Sequence, residues 1–496
     1  VNWGILLSVF LVATCGLIYE LVAGAAASYL VGDSVFAFST VVGAYLFAMG
    51  VGSWLSRYIQ RGLALRFVQV QLLVGLLGGY SAALLFLVYG YGTGFHLALY
   101  LLVGATGTLV GLEIPLILRI LKDRLDFRDL VSQVLGLDYV GALAASLAFP
   151  LLLIPHLGLI RTALLFGMIN VVVGLFFARA LAPPGPGRRL AITQALAVLA
   201  LLAGGLAGAE RLTEMAEESL YPDDILLART SPHQRIVLTS RGGDLRLYLN
   251  GNLQFSSQDE YRYHEALVHP AAVRANHLRR VLILGGGDGL AAREVLRYPE
   301  VESVTLVDLD REMTRLFATH PLLRRLNGEA LSSPRLQIVC ADAFVWLEGN
   351  RQRFDLAVVD FPDPSNYALG KLYTTAFYRR LRASLEPGGA AAVQCTSPLF
   401  ARRSFWCIVN TQRSAGLPAR PYHAYVPSFG EWGFTLCATG EPRRPLPSGL
   451  RFLTPEVARG LFTFSPDMEA LPARVNRLYD QALVRYYEAD WRALSQ

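Results

Sequence analysis

"RVLILGGGDGLAAREVL", residues 280–296, runs from an unbroken apolar stretch into a glycine cluster and out into a helical pattern. The reading is strand, tight turn, helix: the glycines let backbone approach a ligand closely, and the helix start offers free N–H groups. Working outward, further short β-rich runs follow, separated by helical stretches: "SVTLVDLD" (303–310), "LQIVCAD" (336–342), "FDLAVVD" (354–360) and "AAAVQC" (390–395). Such alternation predicts a parallel, doubly wound sheet, whose ligands sit at the carboxyl ends of the strands.

Those ends carry acids. Asp308 closes the second run about 20 residues after the glycine turn, where an acid grips a ribose diol. Asp342 closes the third and is placed to accept from an adenine amino group, or simply to cap the next helix. Asp360 and Asp363 close the fourth, in "VVDFPDPSN" (358–366). Acids at consecutive strand tips point to a nucleoside site. Asp288 lies inside the glycine turn itself, where a carboxylate repels phosphate, so a dinucleotide is disfavoured. A cationic ligand is welcomed there; sulfonium nucleosides and amines are both cationic.

Upstream the chain has a different character. The 496 residues are 53% hydrophobic and 17% charged, too apolar for one soluble globule. Up to residue 209 the sequence is a series of apolar stretches, near 4–31, 34–56, 67–92, 94–118, 133–154, 157–178 and 190–209. Each suffices for the about 20 helical residues that cross a roughly 30 Å hydrocarbon core. The first is too long, and too soon followed by another, for a cleaved signal peptide. The chain opens on Val1, which points to a missing natural start. Residues 210–225, "ERLTEMAEESLYPDDI", read as a charged connector, and 226–256 as short strands joined by "SRGGD" and "LNGN" turns.

The net charge of +6 comes largely from arginines, many in short loops between spans, and is poor ground for nucleic-acid binding. Arg57, Arg61 and Arg66 follow the second span, Arg119, Lys122, Arg124 and Arg128 the fourth, and Arg179, Arg188 and Arg189 the sixth. The positive-inside rule puts these loops in the cytoplasm and, with seven crossings, everything after residue 209 outside. Five cysteines without metal-ligand spacing or a disulfide pattern suit a reducing compartment instead.

"LYLNGNLQFSSQDEYRYHEALVHP" (247–270), "VLILGGGDGLAAREVLRYPEVESVTLVDLD" (281–310), "CADAF" (340–344), "DFPDP" (360–364) with "LYTTAFY" (372–378), and "VPSFGEWGF" (426–434) resemble, in this order, the motifs of the spermidine synthase (polyamine aminopropyltransferase) family. The likeness covers about residues 226–440. The front half, with "GLIYELVAG" (16–24) and "GLEIPL" (111–116), resembles that family's membrane-embedded branch. The resemblance implies a multi-span α-helical membrane domain at 1–209 and a linker at 210–225. A small β-rich part would follow at 226–277, then a Rossmann-like (class I methyltransferase-like) catalytic domain at 278–440 and a helical tail at 441–496. It implies a transferase of polyamine and spermidine biosynthesis in the cell membrane. Decarboxylated S-adenosylmethionine would be the co-substrate, and a putrescine-like amine the acceptor. No permanently bound cofactor or metal is implied, and a homo-oligomer, a dimer, is expected.

By the same resemblance, Gln234 in "SPHQRIVL", Asp308, and Asp342 with Ala343 match positions contacting the nucleoside. Gln254, Tyr263, His264 and Asp288 match those near the aminopropyl chain and the amine, Asp360 matches the proton acceptor, and Asp363 holds the amine. Two departures bear on the acceptor. Phe361-Pro362 and "SNYALGK" (365–371) replace small polar residues and a Gly-Pro-Ala stretch, and Phe429 stands where the family has tyrosine. The chemistry is consistent, because a primary amine of pKa about 10 must shed a proton before its nitrogen attacks carbon. His264 also has a reading as a hydrogen-bonded structural histidine.

Within the spans, Glu20, Glu113 and Asp138 are ionisable groups in costly surroundings. Either they bond neighbouring helices or pair with Arg119, or they line a cation path or amine vestibule. Three function classes stay open: a membrane aminopropyltransferase, an S-adenosylmethionine-dependent methyltransferase, and a non-enzymatic polyamine transporter or sensor. The donor's cytoplasmic origin conflicts with the loop charges, and a catalytic domain on the cytoplasmic side is the expectation carried forward.

Overall fold

Long runs of Leu, Val and Ala make the front of the chain helical despite the glycines among them. The computed structural model describes residues 3–31, 34–90, 94–122, 126–218 and 221–494. It divides into two units, Val1–Ile225 and Leu226–Gln496. In the first unit lie α1 (Trp3–Val31), α2 (Ser34–Leu55), α3 (Leu63–Gly90), α4 (Phe95–Leu121), α5 (Phe127–Ala148), α6 (Ile154–Ala180), α7 (Pro186–Ala207) and α8 (Ala209–Glu218).

Among the described residues, six stretches are long and apolar enough to cross a membrane, where the sequence suggests seven. The difference is one of continuity. The segments expected at 133–154 and 157–178 fall in a single stretch, Arg128–Ala180, of 53 residues. Helical backbone continues through a wider turn at 149–153 and is interrupted only at Gly158, with φ 72° and ψ 179°. A left-handed φ costs glycine nothing, so the direction changes there, and α5 and α6 both pack on α1. The charged connector is itself mostly helical, because α8 contains helix formers and no glycine or proline.

At the boundary of the units begins a four-stranded sheet in the order β1 (Asp224–Thr230), β2 (Arg235–Arg241), β3 (Asp244–Leu249), β4 (Asn252–Ser256). Helix α9 (Glu260–Ala272) leads from it to the main sheet. Strands β5 (Arg280–Gly285), β6 (Ser303–Asp308), β7 (Leu336–Cys340), β8 (Phe354–Asp360) and β9 (Leu385–Gln394) fall where the apolar runs predict them, and β10 (Ala419–Val426) and β11 (Gly430–Cys437) complete the sheet. Spatial order is β10-β11-β9-β8-β5-β6-β7, with β5 to β9 parallel and the last two antiparallel.

Both faces of this sheet are buried, which explains why its strands read as unbroken apolar runs. Val281 and Ile283 pack into the core on one side with Leu356 and Val358; Leu282 and Leu284 pack on the other with Ala357 and Val359. The chain leaves β5 toward β6 and β7, then returns to place β8 on the other side of β5. That reversal opens a crevice between the ends of β5 and β8. Among the described residues, the tail is helical only at Pro455–Gly460 and Ala482–Leu494. Prolines 442, 445, 447, 466 and 472 interrupt the remainder.

Candidate active site

Asp360 ends β8 at that crevice, in register with Gly285 at the end of β5. The strands close so tightly that a Cβ on Gly285 would lie 2.1 Å from the Asp360 carbonyl oxygen. One turn further, Gly287 N–H donates to Asp308 Oδ2 at 3.0 Å, and a Cβ there would meet that oxygen at 2.7 Å. The glycine cluster is therefore what brings the carboxylates of β6 and β8 around one turn. Asp288 lies just before α10 (Leu290–Val295), whose first N–H, that of Leu290, donates to its Oδ1 at 2.9 Å.

Helix α9 supplies the opposite wall. Tyr263 donates its hydroxyl to Asp360 Oδ1 at 2.7 Å, and its ring lies edge-on to Phe434 and His264. His264, buried, holds Glu260 Oε2 through Nδ1 at 2.9 Å. Arg293 grips both Glu260 oxygens, at 2.8 and 2.9 Å. Burial works against the imidazolium, but Glu260 outweighs it and pushes His264 up to about 9. Glu260, despite burial, is held down to about 2 by His264 and Arg293. A fixed positive charge thus sits beside Asp288 and Asp360.

The carboxylates respond in kind. Burial raises Asp288 and Asp360 above the ordinary carboxylate range, and the His264 charge pulls both partly back. Burial lifts Asp308 to about 6 against the Gly287 and Asp310 N–H groups. It lifts Asp363 to about 6 against hydrogen bonds from Thr396 and Tyr487. Carboxylates crowded and desolvated in this way gain from a cation.

On the β6 side, Asp310 is the residue that sequence reading missed. Its Oδ2 accepts from Gln234 Nε2 at 2.9 Å and Ser231 Oγ at 2.7 Å, tying the small sheet's turn to the strand carrying Asp308. The signal was the second acid of "DLD", read only as part of a strand end. Asp342 caps the helix Ala343–Gly349, with Oδ1 accepting from Phe344 N–H at 2.8 Å, so the capping alternative applies. Its Oδ2 also meets Lys371 Nζ at 2.5 Å, and despite some burial that ammonium holds Asp342 below its usual range. Ala343 is buried at the start of the helix. Gln254 stands apart from this network: its Nε2 donates to the Asn252 and Leu253 carbonyls of its own strand.

The Asp360–Asp363 loop is braced from behind. Gln394 Nε2 donates to the Phe361 carbonyl, and the Tyr373 hydroxyl to the Pro362 carbonyl at 2.9 Å. Asp363 Oδ2 accepts from Thr396 Oγ1 and from the Tyr487 hydroxyl, each at 3.0 Å, while its Oδ1 is buried and accepts nothing among the described residues. Phe429 packs against Trp432, ring centroids 5.1 Å apart. Gln394, Thr396 and Tyr487 carried no sequence signal, because each reaches the loop only through tertiary packing.

Residues 260–443 match the family model described as "Spermine/spermidine synthase domain". The chain is 52% identical over 501 residues to polyamine aminopropyltransferase 2 of Ralstonia nicotianae, covering 99% of this chain and 98% of the relative. It is 49% identical over 494 residues to the polyamine aminopropyltransferase of Leptospira interrogans, covering 98% of each. With polyamine aminopropyltransferase 1 of Streptomyces coelicolor it shares 40% identity over 503 residues, 98% of this chain and 94% of that one.

Proposed function

The chain belongs to the spermine/spermidine synthase family of polyamine aminopropyltransferases, and from that premise we propose that Asp360 accepts the proton of the attacking amine while Asp363 holds that amine in place. The reaction moves an aminopropyl group from decarboxylated S-adenosylmethionine to an amine acceptor. The acceptor nitrogen loses a proton and its lone pair forms the new N–C bond. The C–S bond breaks as the sulfonium takes back its electron pair, and neutral methylthioadenosine leaves.

The observation that carries the assignment is the Tyr263–Asp360 hydrogen bond at 2.7 Å, set at the crevice where β5 and β8 diverge. Tyr263 fixes the carboxylate, burial raises its basicity, and general-base help of about 10²–10⁴-fold becomes available. The rest of the acceleration comes from aligning nitrogen, carbon and sulfur. Asp308, Gln234 and the helix start at Asp342 and Ala343 form the nucleoside side of the site. Asp288 and Asp360 face the donor's positive charge, and Asp363 Oδ1 is an acceptor for an ammonium. His264 acts as a fixed charge that keeps neighbouring carboxylates ionised. Gln254, on β4, contacts the aminopropyl side of the donor in this reading.

The test is incubation of the purified protein with decarboxylated S-adenosylmethionine and a panel of diamines and triamines, with methylthioadenosine and the extended amine read by mass spectrometry. Asp288 repels the extra carboxylate of full S-adenosylmethionine, so that donor competes poorly. Methyl transfer from it, or amine binding without methylthioadenosine release, overturns the assignment.

The six apolar stretches embed the front unit in a membrane, with the catalytic unit on the cytoplasmic side. Support comes from five free cysteines, of which Cys340 alone is exposed. Labelling of Cys340 by a membrane-impermeant thiol reagent only after permeabilisation is expected; labelling in intact cells overturns the sidedness.

A further inference from the structure

The helix bundle holds a second group of carboxylates that the reaction does not use. Glu20 on α1, Glu113 on α4 and Asp138 on α5 line one cavity of about 170 Å³, together with Tyr45 of α2. A single water needs about 10–15 Å³ of such space, so the chamber has room for a small chain molecule. Glu20 is 7% exposed and Glu113 2%. Gln71 Nε2 donates to Glu113 Oε1 at 2.7 Å. Glu20 and Asp138 have no hydrogen-bond or ion-pair partner among the described residues.

Of the two bonding alternatives, Glu113 bonds a neighbouring helix through Gln71, and Arg119 is engaged elsewhere. Its guanidinium donates to the Ser56 carbonyl at 2.8 Å and the Ile59 carbonyl at 2.5 Å, tying down the turn after α2. Carboxylates gathered in an apolar bundle without a countercharge are costly, and such groups face a site rather than lipid. A cation belongs in this chamber.

Its chemistry follows from the spacing and the walls. No three His, Cys, Asp or Glu among the described residues lie close enough together to hold a metal ion, so these acids do not converge on one point. Between them the lining is aliphatic, with Val12, Leu17, Met49 and Ile114. Separated anions along an apolar chamber match a cation built the same way, with ammonium groups at intervals along a methylene chain. We infer that the helix bundle carries its own binding site for a linear polyamine, with Glu20, Glu113 and Asp138 as its anionic contacts. The inference stands on the first unit alone and does not depend on the catalytic assignment.

The experiment is calorimetric titration of spermidine into the full-length protein in lipid nanodiscs. Wild type is expected to show two binding events and the D360N/D363N variant one. Adding E20Q or D138N to that variant weakens the remaining event at least ten-fold, while D138E preserves it. Loss of all binding in D360N/D363N, or a remaining event indifferent to both E20Q and D138N, overturns the proposal, whereas a single wild-type event that D360N/D363N leaves intact counts only against the catalytic reading. Displacement by sodium chloride as effective as by spermidine, at matched ionic strength, overturns the polyamine selectivity. Wild-type protein gives an independent readout that needs no variant. A hydrophobic carbodiimide should label Glu20 or Asp138, as seen by peptide mass spectrometry, and spermidine should suppress that labelling several-fold. Labelling unchanged by spermidine counts against the site.

Discussion

The Tyr487 hydroxyl donates to Asp363 Oδ2 at 3.0 Å, joining the chain's last helix to the loop after β8 across 124 residues. Phe429, where a tyrosine is expected by resemblance, offers no hydroxyl. Tyr487 brings one to the same acidic loop from the C-terminal side.

Removing that hydroxyl should act on the amine and spare the donor. Tyr487→Phe deletes one hydrogen bond to a carboxylate, worth about 1–2 kcal/mol, so the KM for the amine should rise by about 5- to 30-fold. The KM for decarboxylated S-adenosylmethionine should be unchanged in steady-state kinetics. An equal rise in both would show that the helix only supports the fold.

Asp360→Asn keeps the shape of the strand end and the partner of Tyr263 but removes the proton acceptor. Turnover should fall by about 10²–10⁴-fold, while methylthioadenosine still binds by equilibrium dialysis. Tyr263→Phe removes a hydrogen bond that lowers the Asp360 pKa, so its acid limb should shift to higher pH.

Activity should rise with pH through about 6, where Asp308 and Asp363 ionise. Below that value both are protonated and the cationic ligands lose their countercharges. His264→Gln withdraws the charge that lowers Asp288 and Asp360, so the limb should move upward in kcat/KM profiles. An unmoved limb would mean that His264 only packs.

The Glu260–His264 pair makes stability depend on pH in a fixed direction. His264 is raised to about 9, so its contribution is complete below its ordinary value and is lost as pH rises through about 9. Glu260 is lowered to about 2, so its contribution is present above its ordinary value and is lost as pH falls toward about 2. Wild type should lose protease resistance at alkaline pH more steeply than His264→Gln, which lacks the alkaline step.

Gly287→Ala places a methyl against Asp308 Oδ2, at 2.7 Å before any relaxation. The glycine turn must then open or the acid swing away. Donor KM should rise at least about ten-fold, the equivalent of about 1.4 kcal/mol. Wild-type donor affinity in this variant would detach Asp308 from the site.

Much of this was legible in the chain. The apolar front half, the five parallel strands, and acids at Asp308, Asp342, Asp360 and Asp363 all follow from local pattern, because strand, turn and helix each leave a short-range signature. The Asp342 cap was likewise readable. Less legible was how each acid is held, as with Asp310 and Lys371, whose partners lie tens of residues away.

The sequence alone determined that carboxylates would gather at the ends of parallel strands, since those residues sit at turns whose geometry is local. Only the tertiary structure decided that Tyr263 would hold Asp360, that Glu260 would keep His264 charged, and that the last helix would reach Asp363. It likewise decided that Glu20, Glu113 and Asp138 would share a chamber while Arg119 turned elsewhere. Those outcomes depend on the close packing of elements distant in the chain, which sets both the partners and the dielectric each charge experiences.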